Sequence, residues 1–293
     1  PNFWPIGNGK HMLLLFSHKR SARYYVGEYD RATHRLIPDY HGRMSYGPIS
    51  IGSLHAPSAT IDDSGRYLAI FNVKEGKAEQ DWNDVMTLPR LFSLNPDNSL
   101  RIEPAPEVES LRTNHRRVGP LDVPANGETV LEGVEGKALE IEAVIDIGDA
   151  REVGLYVLRS PDGQERTRIS FYRNNPHRSA RPTSHAYSHL QIDVAESSTR
   201  ADVIARTPET GPLVIGDDEP VRLRVFVDRS ILEVFANGKQ CLTLRAYPDR
   251  EDSAGVSIFA RGGAAKLVSL DAWQMRSIWP ELQAREGKCS AGG

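Results

Sequence analysis

Cysteine is nearly absent: two residues, Cys241 and Cys289, in a chain of 293. The first sits in a predicted strand and the second in the tail, so neither a disulfide framework nor a zinc site is suggested. Neither sign of charge is in excess. Thirty-six Lys and Arg stand against 39 Asp and Glu, a formal net charge of −3, which leaves no basic footprint for nucleic acid. No apolar run approaches the roughly 18 residues of a membrane-spanning helix, so no membrane partner is expected. The phosphate-cradling G-x-x-x-x-G-K-[ST], a strand-borne G-x-G-x-x-G, the zinc motif H-E-x-x-H and the nucleophile elbow G-x-S-x-G do not occur, and the chemistries they carry are not expected. Gly262-Gly263-Ala264 comes closest to a phosphate loop, but it precedes a strand and reads as a turn. His115, His177, His185 and His189 lack metal-ligand spacing and read as solvated. No metal and no cofactor is expected. Nothing reads as a secretory leader, and in a chain that opens at Pro1 neither the compartment nor the oligomeric state is legible.

What the chain does have is short strands with turn punctuation. Residues 222–245 organise it: R-L-R-V-F-V-D-R-S-I-L-E-V-F-A-N-G-K-Q-C-L-T-L-R. Val221, Leu223, Val225 and Val227 alternate with Arg222, Arg224, Phe226 and Asp228, a period of two. Asp228-Arg229-Ser230 breaks the run, and Ile231, Glu233 and Phe235 then alternate with Leu232 and Val234. Asn237-Gly238 between two such runs predicts a hairpin, because a type I′ turn needs positive φ at both central residues. Ahead of this, 11–17, 23–30, 67–73, 91–94 and 100–102 read as strands, with turns at 62–65 and 95–98. Prolines 104, 106, 120 and 124 mark 106–128 as a linker in which no regular element is expected. Beyond it, 139–147, 153–159, 167–172, 190–194, 255–260 and 265–275 read as longer strands. Trp273 and Trp279 are expected to anchor their packing. Residues 174–188 are polar and read as a long exposed loop, and 281–293 as a frayed tail.

The wording of two blocks goes further than their pattern. V-F-V-D-R-S-I-L-E-V-F-A-N-G, 225–238, resembles the C-terminal β-sandwich of family 32 glycoside hydrolases, the invertases, levanases and inulinases. W-N-D-V-M-T-L-P-R, 82–90, resembles that family's G-W-A-G-V-M-S-L-P-R block. Pro1-Asn2-Phe3-Trp4-Pro5 resembles the tail of its Glu-Cys-Pro block, and Tyr46-Gly47 with His55-Ala56-Pro57 its D-Y-G…F-Y-A-P region. In that region the family's Asp before Tyr-Gly is Ser45 here, and its Phe-Tyr is Leu54-His55. The resemblance covers Pro1 to about Trp279. It implies an all-β chain: the C-terminal part of a five-bladed β-propeller over 1–105, the linker 106–128, a β-sandwich over 129–280 and a flexible tail, 281–293.

The resemblance also implies a substrate class: fructose-containing oligo- or polysaccharides of the sucrose, levan or inulin type. These are cleaved with retention, or transferred when a second sugar replaces water. A retaining glycosidase needs two carboxyl groups about 5–5.5 Å apart. The family supplies them from W-M-N-D-P-N-G and Glu-Cys-Pro blocks, with a third carboxylate from R-D-P. None of the three occurs in this sequence, so no catalytic residue is assigned in it. Asp81 and Asp84 are three apart, a spacing that sends strand side chains to opposite faces. Asp62 and Asp63 are accounted for by turn chemistry, and Asp228 and Glu233 by the sandwich. The substrate-binding candidates are Trp82, His18 and His55. Trp82 corresponds to a tryptophan whose apolar face lies against sugar C–H groups in the family; the plainer reading is a core aromatic. His18 and His55 can hydrogen-bond sugar hydroxyls; the plainer reading is two surface polar groups. A second class of function is a non-catalytic, carbohydrate-binding β-sandwich. Such a module has no use for 82–90 ahead of it.

Overall fold

A computed structural model describes residues 1–19, 21–47, 54–74, 76–77, 82–173, 188–216 and 218–279. The expected loop over 174–188 falls almost wholly outside these residues, as do the tail 281–293, Asp81, His177, His185 and Cys289. The described chain is all-β apart from one 3-10 turn, Pro106–Leu111. Sheet one is a meander of β1 (Asn2–Gly7), β2 (Lys10–Ser17), β3 (Ser21–Asp30) and β4 (Arg35–Arg43). Sheet two holds β5 (Leu54–Ile61), β6 (Tyr67–Val73), β8 (Arg90–Leu94) and β9 (Leu100–Pro104), with the short β7 (Val85–Met86) also on β6.

The next strands are β10 (Arg112–Val118), β11 (Leu121–Val123), β12 (Glu128–Glu135), β13 (Ala138–Asp146), β14 (Glu152–Arg159), β15 (Thr167–Tyr172), β16 (His189–Asp193) and β17 (Glu209–Pro212). They are followed by β18 (Val221–Asp228), β19 (Ile231–Ala236), β20 (Gln240–Arg245), β21 (Gly255–Arg261) and β22 (Ala265–Met275). Sheet three runs β10-β22-β13-β18-β19-β20, with β11 also on β22, and sheet four runs β12-β21-β14-β15-β16-β17. The β19–β20 turn closes through the Lys239 N–H on the Ala236 carbonyl at 2.9 Å, with φ of 50° at Asn237 and 63° at Gly238. Both central residues are left-handed, as a type I′ turn requires.

The proline-rich stretch departs from expectation. Residues 112–118 and 121–123 are strands, and both pair antiparallel with β22. The prolines flank these strands rather than interrupt them, so no ladder donor is lost where pairing occurs. Trp279 also departs from expectation: it is 62% exposed. Trp273 is half-buried on the outer face of sheet three, stacked on His115 at 4.9 Å, with the Arg112 guanidinium 3.9 Å from its ring centre.

Sheets three and four face each other over one core. Leu139, Ile141, Val225, Val227, Leu232 and Val234 come from one side, and Leu155, Ile169, Phe171 and Ile258 from the other. A second core joins sheets one and two to the opposite face of sheet three. It contains Trp4, Met12, Tyr24, Phe71 and Phe92 together with Phe226, Phe235 and Cys241. This explains why both alternating sets in β19 are apolar apart from Glu233. A strand covered on both faces has no wet side on which to place polar residues.

The loops of the sandwich hold a buried polar cluster the sequence does not announce. Glu165, fully buried between β14 and β15, accepts the N–H groups of Thr199 at 3.0 Å, Asp249 at 2.9 Å and Arg250 at 3.0 Å, and the Ser253 hydroxyl at 2.6 Å. Burial pushes its pKa up, but the Ser253 hydroxyl and the three N–H groups pull it down, and the net direction is below the ordinary value. A carboxyl with a depressed folded pKa stabilises above its unfolded pKa of about 4.3, and that stability is lost as pH falls through the folded value. Glu165→Gln is therefore expected to cost about 1–3 kcal/mol at pH 7. The gap from the parent should narrow in acid, as urea melts at pH 7 and pH 3 will show. A gap that does not change with pH contradicts the assignment.

Candidate functional site

β2 and β5 bring two of the three sugar-contact candidates together. The His55 ring lies 4.1 Å from the Phe16 ring, and the His18 ring is 5.2 Å from Phe16 and 6.1 Å from His55. His55 is paired across the ladder with Asn72 of β6, whose amide donates to the Asp84 carboxylate at 2.5 Å. Adjacent ladder partners share a face, so β5 and β6 present His55 and Asn72 side by side, and the chain returns through Asp84. The result is a half-exposed patch of ring N–H, amide and carboxylate groups beside one aromatic ring. Such a set of donors and acceptors suits vicinal hydroxyls.

Trp82 lies two residues before Asp84. Its indole is 44% exposed, and the Arg245 guanidinium of β20 lies 5.1 Å from the ring centre. It is not a core aromatic packed between sheets one and two. Asp62 serves its turn, accepting the N–H groups of Ser64 at 3.0 Å and Arg66 at 2.8 Å. Among the described residues no group of three or more His, Cys, Asp or Glu could hold a metal ion.

The largest feature missed from sequence is how the two best-marked blocks meet. Glu233, 2% exposed, accepts the Leu88 N–H at 2.5 Å on one oxygen and Arg90 Nη2 at 2.7 Å on the other. Arg90 is wholly buried, also donates to the Thr243 hydroxyl, and has the Phe71 and Phe235 rings 5.0 and 5.9 Å from its guanidinium. A buried carboxylate on an otherwise apolar strand was the available signal, since such a group needs a partner. Glu209 of β17 is a second missed tie. It accepts the Tyr46 N–H at 2.5 Å, the Gly47 N–H at 2.8 Å and the Ser45 hydroxyl at 3.3 Å, and pairs with Arg206 at 2.7 Å.

A separate concavity of about 240 Å³ opens on the outer face of sheet four, between Tyr156, Arg166, Arg168, Asp193 and Glu196. Its arginines are already paired, Arg166 with Glu128 and Glu196 and Arg168 with Asp193 and Glu152. Among the buried side-chain atoms of these residues, Arg168 Nε alone has no hydrogen-bond partner.

Residues 107–274 match the family model described as "Glycosyl hydrolases family 32 C terminal". The chain belongs to glycosyl hydrolase family 32. Similarity to family 32 proteins extends beyond the matched region. A levanase of Bacillus subtilis is 28% identical over 294 aligned positions, covering 94% of this chain and 39% of the levanase. A 6(G)-fructosyltransferase of Asparagus officinalis is 27% identical, covering 92% of this chain and 50% of the relative. The fold is shared with fructan 1-exohydrolase IIa from Cichorium intybus, at a TM-score of 0.79 and 18% identity, over 94% of this chain and 58% of that one. The chain thus spans about two fifths to half the length of these curated relatives.

Proposed function

We propose that the chain is the C-terminal portion of a retaining hydrolase of β-D-fructofuranosides, acting on sucrose or on levan- or inulin-type fructans. In this reading sheets one and two are the last blades of a five-bladed propeller, 106–128 is the linker, and sheets three and four form the sandwich domain over 129–280. The observation that carries it is the levanase similarity over 94% of the chain, which takes in sheets one and two as well as the sandwich. A dedicated binding module has no use for that part.

The proposed chemistry follows from retention. One carboxylate attacks the anomeric carbon, the glycosidic bond breaks, and a protonated carboxyl gives its proton to the departing oxygen. A water, deprotonated by that same group, then releases fructose from the covalent fructosyl-enzyme. A sugar hydroxyl in place of water makes the same site a fructosyltransferase. On this chain we assign His18 and His55 to sugar hydroxyls and Trp82 to a sugar C–H face. No residue here is assigned as nucleophile or acid. The buried carboxylates of Glu140, Glu165, Glu209 and Glu233 are engaged by arginines, hydroxyls or backbone N–H groups. A general acid or base contributes about 10²- to 10⁴-fold. Residues 1–293 alone are accordingly expected to release no fructose from sucrose, levan or inulin above a heat-killed control. Turnover by the purified chain overturns that expectation.

A further inference from the structure

We infer that the β19–β20 hairpin holds the Trp82–Arg90 segment in place, with Arg245 and Glu233 as positioning residues for the sugar-facing ring. This rests on the reading that Trp82 meets substrate. Among the described residues, the chain from β6 to β8 is tied to the C-terminal half near its start, in its middle and at its end. Near its start, the Gly76 N–H donates to the Tyr247 hydroxyl at 2.9 Å, and the Gly76 carbonyl accepts the Ile204 N–H at 2.8 Å. In its middle, Trp82 lies against Arg245. At its end, Glu233 takes Leu88 and Arg90.

Arg245 is built for this role. It is 3% exposed, its Nε and Nη2 lie 3.2 and 2.7 Å from the Ser230 hydroxyl, and its guanidinium is 5.1 Å from the ring centres of both Trp82 and Tyr247. A planar cation pinned at one edge offers its face to a ring, which a flexible ammonium does less well. Trp82 nevertheless stays 44% exposed. A large aromatic left half in solvent but fixed in orientation is what a sugar platform needs, since ordering it in advance removes that cost from binding. Neither Arg245 nor Glu233 needs to touch sugar to set where the ring stands.

The test uses hydrogen exchange on 1–293, so it does not depend on turnover. Arg245→Ala is expected to speed exchange in peptides spanning 82–88 by about tenfold, with β13 and β14 peptides unchanged. Arg245→Lys, which keeps a cation near the ring, should fall between. Trp82→Ala should loosen the same peptides, with no added effect in the double variant. Unchanged exchange over 82–88, or an equal rise throughout the sandwich, overturns the inference. A second readout separates it from the functional reading. In the longer protein that supplies turnover, Arg245→Ala should raise KM for a fructan by about tenfold with kcat little changed. Local loosening with an unmoved KM upholds the brace and removes Trp82 from the sugar site.

Discussion

Glu233→Ala is expected to cost about 3–5 kcal/mol, because it strands the Arg90 charge in a buried site. Arg90 has no exposed surface. Its attraction to the flanking Phe71 and Phe235 rings is worth about 2 kcal/mol or more when desolvated, which does not replace the carboxylate that a buried guanidinium needs. Cys241, in the same core, offers no substitute anion: burial pushes its thiol up to about 12, against the opposing pull of Arg90. The loss is not a measure of what the pair contributes to stability. Desolvating two charges consumes much of their attraction, and replacing both with apolar residues is often neutral or better. Arg90→Met with Glu233→Leu should therefore recover most of the loss. It should still fall short of the parent by about 1–3 kcal/mol, because the Leu88 N–H has lost its acceptor. Urea unfolding of the parent, both single variants and the double variant checks this. A Glu233→Ala loss below about 1 kcal/mol means that water or another group reaches Arg90, and that the pair does not bind sheet two to sheet three.

The strands that bury one face were legible residue by residue. β6, β15 and β22 occupy the expected positions, because alternation and turn residues mark both ends. β4 and β5 were not seen, and each contains a proline, Pro38 and Pro57. Both strands lie at the edge of a sheet, and Pro57 falls in the irregular register between His55 and Ser58. Edges and bulges are where a strand tolerates a missing donor. The site was legible as residue types but not as a place. His18 and His55 are 37 positions apart in sequence and meet only because β2 packs near β5. Trp82 was legible as an aromatic with two roles open, but its partner Arg245 lies 163 positions on, in another sheet. Glu233 is the instructive case. Its place in a β-run fitted a structural role, and the role is structural, but the group it serves is the other recognised block. Alternation reports which face a residue takes and says nothing of what lies across from it.

Glu209→Ala is expected to be as costly as Glu233→Ala, about 3–5 kcal/mol, and it acts on a different contact, between sheet four and residues 45–47. Glu209 is 1% exposed, and the side chain of its partner Arg206 is 3% exposed. Burial draws the Arg206 pKa below its ordinary value, with Glu209 opposing. Removing the carboxylate leaves that guanidinium and the Tyr46 and Gly47 N–H groups unsatisfied. Gly47→Ala reaches the same point by crowding, because a Cβ there meets both Arg206 and the Glu209 carboxylate. Ser45 gives the sharper test. The family pattern has Asp before Tyr-Gly, and here a buried serine donates to Glu209. Ser45→Asp replaces that donor with a second carboxylate against the first. Two carboxylates sharing one site cannot both ionise cheaply, so one pKa is raised. A carboxyl with a raised folded pKa stabilises fully below its unfolded value, and that stability is lost as pH climbs through the folded value. Ser45→Asp should therefore be well below the parent at pH 7 and approach it as pH falls toward 4. Glu209→Ala is the comparison variant, since its stranded cation does not titrate in that range. Urea midpoints of both variants at pH 7, 5.5 and 4 decide the matter. A Ser45→Asp deficit that is flat or deepens with acid means that the new carboxylate has found a cation instead of Glu209.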